Sequence, residues 1–71
     1  SRKDTLPILT KELIIVAICC SLGDCHAQAQ SHLEAAINLG ASKEMITDTL
    51  LLLLPFVGFP KVANTMLNIN F

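Results

Sequence analysis

Four side chains of this 71-residue sequence have the types and spacing for chemistry: Glu12, Cys25, Gln28 and His32. An imidazole both donates and accepts protons near neutral pH, and His32 lies in an apolar run, Leu33-Glu34-Ala35-Ala36-Ile37 following it. Two readings of His32 stand side by side: a proton-transferring group, or a core histidine satisfied by a backbone or side-chain partner. Glu12 is the one acid in the greasy stretch from Lys11 to Leu22. Helical spacing puts Glu12, Val16 and Cys19 on one face. If that face meets His32, the carboxylate fixes the tautomer and holds the ring while His32 moves the proton. A first-turn Glu is equally accounted for by the helix dipole.

Cys25 falls at the start of a predicted helix, where unpaired N–H groups stabilise a thiolate. Asp24 beside it opposes that with a negative charge. The competing reading is a small buried hydrophobe. Cys19 and Cys20 are neighbours, pointing about 100° apart on a helix, and are poor disulfide partners for one another. Both are assigned to the core. His26 is expected to face solvent. Two histidines six apart with one cysteine do not make a zinc spacing, so no metal is expected. No phosphate-cradling glycine loop or nucleotide motif is present, and no cofactor is implied.

The elements that must hold these groups read as helices. Residues 1–8 are expected to form an arm, and 9–71 a single helical domain. Thr10 is a candidate cap for a helix over Lys11 to Leu22 that is apolar on most sides and should be buried on most sides. Gly23-Asp24 breaks it, and Asp24 is a candidate cap for a second helix from Cys25 to Leu39. Gly40 stands where a left-handed C-terminal residue belongs. Ser42 caps a third helix, with Glu44 favoured in its first turn. Pro55 has no N–H for Leu51, so that helix should kink or end nearby. Pro60 suits the first turn of a fourth helix running towards Phe71. The fold class is all-α, a small bundle of about four helices.

Composition narrows the partners. Five basic and six acidic residues leave a net charge of −1, which excludes a polybasic nucleic-acid binder. With 52% hydrophobic and 15% charged residues the chain is not a disordered tail. Three glycines and three prolines are too few for a turn-rich sandwich or barrel. The longest apolar stretch, Leu50 to Val57, falls far short of the ~20 residues that cross a bilayer. No targeting segment is visible, and three unpaired cysteines suit a reducing cytoplasm. A chain this short buries only about 60% of its unfolded surface, so part of its apolar surface is expected to pack against other copies of itself.

Several segments in order resemble the carboxymuconolactone decarboxylase family, which includes alkylhydroperoxidase-D-like proteins. They are Leu9-Thr10-Lys11-Glu12-Leu13-Ile14, Leu22-Gly23-Asp24-Cys25, His32-Leu33-Glu34-Ala35-Ala36-Ile37-Asn38-Leu39-Gly40-Ala41-Ser42, and Pro55-Phe56-Val57-Gly58-Phe59-Pro60 with Asn64. The resemblance implies an all-helical homotrimer or homohexamer acting on a small molecule. The family's peroxidase branch carries Cys-x-x-Cys-x-x-x-His with an upstream Glu. Anchored on His32, the first cysteine position is Cys25 and the second is Gln28, so the layout survives without the paired thiols. A dithiol peroxidase cycle needs both sulfurs, which places the chain nearer the decarboxylase branch.

That branch implies cofactor-free acid/base chemistry by Glu12 and His32 on a small carboxylated lactone or related organic acid, with Gln28 hydrogen-bonding in the pocket. Such an anion calls for Arg or Lys. Arg2 and Lys3 fall in the arm, and Lys11, Lys43 and Lys61 at predicted helix starts. Two alternatives accompany this reading: an antioxidant protein in which Cys25 reduces hydroperoxides with an external thiol, and a non-catalytic oligomer that binds a small ligand.

Overall fold

The computed structural model describes residues 5–71. Its regular structure is helical throughout: α1 (Ile8–Leu22), α2 (His26–Asn38), α3 (Lys43–Leu51), the single turn α4 (Leu54–Val57) and α5 (Phe59–Asn68). Residues 1–4 of the expected arm, with Arg2 and Lys3, lie outside the described residues.

The first helix starts earlier than its sequence suggests. Pro7, not Thr10, is the cap residue, with φ −58° and ψ 149°. Its carbonyl accepts from the Lys11 N–H at 3.1 Å. Proline loses no N–H at a helix start and its φ is already set, so helix begins at Ile8 and Thr10 lies inside the first turn. The arm therefore does not extend to residue 8.

Gly23 closes α1 in the left-handed region, φ 91°, with its N–H donating to the Cys19 carbonyl. After that reversal only Asp24 and Cys25 remain before α2. Cys25, not Asp24, is the cap residue, and it makes no side-chain capping bond. Asp24 stays exposed. The far end of α2 does follow its glycine: Gly40 N–H donates to Ile37 O and Ala41 N–H to Ala36 O, both at 2.9 Å. That pair of bonds is the Schellman arrangement, and Ala36 and Ala41 are both buried behind it.

Ser42 caps α3 as its type suggests, its hydroxyl accepting from the Met45 N–H at 3.1 Å. The helix stops at Leu51, four residues before Pro55. That is where the proline ring would meet the carbonyl and where its missing N–H would have bonded. Leu52 and Leu53 turn, and Pro55 enters α4 in its first turn. Pro60 likewise sits in the first turn of α5.

The most extensive packing joins α1 to α2, with α3 and α5 also against α1. Val16, Cys20, Leu33, Ile46, Leu50 and Val62 form the centre of the core. Gln30 secures the chain end: its side-chain amide donates to the Asn70 carbonyl at 3.0 Å, and its amide oxygen accepts from the Asn70 N–H at 2.7 Å. Ile69 is buried beside that clasp.

The folded chain does not bury α1 on most sides. Val16, Cys19 and Cys20 are buried, whereas Ile14, Ile18 and Leu22 are exposed. The shortfall follows from size: a bundle this small covers one side of its most apolar helix. A second apolar surface surrounds α4 and α5, where Phe56 is 81% and Leu67 82% exposed. There Leu51, Leu54, Phe59, Val62 and Met66 help line an apolar groove of about 440 Å³. No helix among the described residues is long and apolar enough to cross a membrane.

Candidate active site

The hairpin of α1 and α2 brings Glu12 and His32 together. His32 Nδ1 lies 2.6 Å from Glu12 Oε1. A carboxylate only accepts, so Nδ1 carries the proton and donates it to Glu12. The ring's other nitrogen, Nε2, is then left to accept or deliver a proton. The pair is neither sealed nor fully solvated: the His32 side chain is 37% exposed and that of Glu12 20%. A single charge-assisted bond in that setting orients the ring while leaving it reachable.

Gln28 is placed differently. It is exposed on α2, one turn before His32, where Ala29 takes the buried position. His26 does not face solvent as expected. It is half-buried, and its Nε2 is enclosed without a hydrogen-bond partner. Asn64 is engaged locally, its carbonyl accepting from the Asn68 side chain at 2.8 Å.

The cysteines form an arrangement that neighbour spacing does not reveal. Cys20 is fully buried, and its thiol approaches the Lys61 carbonyl at 3.8 Å. Cys19 is also buried and lies near Cys25, whose Sγ donates to the Cys19 carbonyl at 3.3 Å. Burial first, and then the bond to Cys25 and its proximity, push the Cys19 thiol up to about 11. The signal was available in the antiparallel register. From Glu12, seven residues forward along α1 reach Cys19; from His32, seven residues back reach Cys25. Residues facing at one rung therefore predict facing residues at the other, about 10 Å along the seam at 1.5 Å per residue.

Lys61 acts at the end of α1, its ammonium donating to the Ser21 carbonyl at 3.0 Å. A cation there is favoured by the negative end of the helix dipole. Lys43 is exposed on α3, beside Glu44, Thr47 and Asp48. Among the described residues no group of three or more His, Cys, Asp or Glu is placed to hold a metal ion.

Comparison with known proteins adds one match. The family model for the Carboxymuconolactone decarboxylase family covers residues 1–69. No curated protein and no solved structure matches the chain. With nearly the whole length matched and an all-helical bundle formed, the chain belongs to the carboxymuconolactone decarboxylase family.

Proposed function

We propose that the protein is a cofactor-free acid/base enzyme of the decarboxylase type, acting on a small carboxylated lactone or related organic acid. The observation that carries this reading is the 2.6 Å contact between His32 Nδ1 and Glu12 Oε1. Glu12 holds the ring through its Nδ1–H. As the substrate carboxylate leaves as CO2, the carbon–carbon bonding pair stays on the organic fragment. The imidazolium Nε2–H supplies the proton that this fragment takes up, leaving neutral His32 with its Nδ1–H still on Glu12. A positioned imidazole of this kind contributes about 10²–10⁴-fold to rate. Gln28, exposed one turn away, is proposed to contact substrate, and Cys25 to lie at the edge of the same seam.

A second copy of the chain is proposed to complete the site, as a homotrimer or homohexamer. Support comes from the exposed Ile14 and Ile18 on α1, the helix that also carries Glu12. Covering them would take that apolar surface out of water. The three free thiols fit a cytoplasmic location.

The test is CO2 release from a carboxylated muconolactone by wild type, His32→Ala and Cys25→Ser. Loss of turnover in His32→Ala with Cys25→Ser unaffected supports the proposal. The reverse pattern, with thiol-dependent hydroperoxide consumption, replaces it with a peroxidase. Variants that change no measured activity leave a non-catalytic binding oligomer. Sedimentation at working concentrations checks the assembly, and a monomer in which His32 is open to solvent overturns that part.

A further inference from the structure

We infer that α5 packs against α5 of a second copy of the chain, antiparallel, about a twofold axis at Ala63. This face is separate from the α1 surface that carries Ile14 and Ile18, and the inference does not depend on the acid/base reading.

The order of side chains on α5 carries the inference. Phe59, Ala63 and Leu67 recur every four residues, so they form one ridge along the helix. Phe59 is 71% and Leu67 82% exposed, with half-buried Ala63 between them. Val62 and Thr65 face the core instead. Lys61 and Asn68 stand about 140–160° round the helix from Ala63, so no charge interrupts the ridge. Its sequence of bulky, small and bulky side chains matches itself when reversed. Turned antiparallel about Ala63, Phe59 meets the partner's Leu67, and Leu67 the partner's Phe59. Ala63 then faces its own copy, and its small side chain lets the two axes come within about 8 Å. A contact made by the same patch on both copies requires this self-matching. The antiparallel sense also sets the helix dipoles head to tail.

Area and lining choose the occupant. A phenylalanine carries about 150–250 Å², so exposed Phe56, Phe59 and Leu67, with Leu51 and Leu52, present about 600 Å² of apolar surface per chain. That is already as large as the largest apolar patch on an ordinary monomer. Doubled across a twofold it comes to about 1,200 Å², where specific interfaces begin. The groove of about 440 Å³ beside the ridge is lined by apolar side chains alone, Leu54 and Met66 among them. Small-molecule sites fix their ligand with a few polar groups. This groove offers none, so it fits a helix face and not a polar metabolite. A membrane-surface helix would set basic residues along its polar face, and Lys61 is the only one on α5. A contact that closes on itself joins chains in pairs, so the assembly that contains it holds an even number of them.

The experiment measures the mass of the full chain in solution by sedimentation, for wild type, Phe59→Glu, Leu67→Lys and the double variant. Wild type is expected as an even-numbered assembly. Each single variant sets a charge against an apolar side chain, and should weaken the pairing about tenfold or more and halve the mass. Both positions are largely exposed, and an acid at the helix start and a base in its last turn suit the helix dipole. The variants should therefore fold, which circular dichroism and thermal melts establish. In the double variant the antiparallel pair brings opposite charges face to face twice, and the wild-type mass should return. A parallel pair would set like charges together and stay apart. A wild type that is monomeric or trimeric overturns the inference. So do single variants that keep the wild-type mass, or a double variant that stays at half of it. Binding of the apolar dye anilinonaphthalene sulfonate to wild type but not to Leu67→Lys, with mass unchanged in both, would replace the pairing with a small apolar ligand.

Discussion

His32 and Glu12 meet at 2.6 Å across the seam between α2 and α1, and that single bond decides which ring nitrogen faces away. Neutral His32 is therefore expected as the Nδ1–H tautomer, with Nε2 as the working atom. Long-range nitrogen–proton spectra should report that tautomer in wild type. Glu12→Ala removes the acceptor, and the ring should shift towards the Nε2–H form. An unchanged tautomer in Glu12→Ala would mean that something other than the carboxylate orients the ring.

Alkaline pH should loosen the fold through Cys19. Its thiol is raised from 9.0 to about 11, chiefly by burial. Between those values the unfolded chain gives up the proton while the folded chain keeps it, so stability falls as pH rises. The contribution is complete below pH 9 and lost through pH 11. Urea midpoints measured from neutral pH upward should decline over that window, and Cys19→Ser should flatten the decline. In alkylation, Cys25 should label well before Cys19.

Gln30 and Asn70 exchange two hydrogen bonds. Gln30→Ala should cost about 1 kcal/mol, the usual net worth of partly exposed bonds of this kind. Amide exchange at Asn70 should accelerate with it, because its N–H loses its acceptor. Stability unchanged, with Asn70 still protected, would show that the buried Ile69 alone holds the terminus.

Gly23 is a test of backbone strain rather than space. A methyl group there would sit 3.6 Å from the Lys61 stem, an ordinary contact, but at φ +91°. Gly23→Ala should therefore cost about 1–2 kcal/mol from the backbone alone. Each kcal/mol lowers the melting temperature of a domain this size by about 4–8 °C. A melting temperature within a degree of wild type would show that the link relaxes to another conformation.

Most of the fold was legible from residue types because its punctuation is local. Ser42, Gly40, Pro55 and Pro60 act within a turn of themselves, and each stands where its chemistry places it. Thr10 and Asp24 misled for the same reason: both are good caps in isolation, but Pro7 had already started one helix and Gly23 left too short a link before the other. The facing of Glu12 and His32 could be posed from spacing, since each is a polar side chain within a largely apolar stretch. The approach of Cys25 to Cys19 follows only once Glu12 and His32 are set opposite one another, and the Gln30–Asn70 clasp was not legible. One depends on the register of two helices and the other on where the last residues return, and neither is written in neighbouring positions.

The span of Gly23, Asp24 and Cys25 is also a ruler. One added residue there would turn α2 by about 100° against α1 and slide it by about 1.5 Å. The imidazole would then part from its carboxylate at one rung and the Cys25 thiol from the Cys19 carbonyl at the next. Both contacts are thus tied to a single covalent length, and no insertion at that bend can alter one while sparing the other.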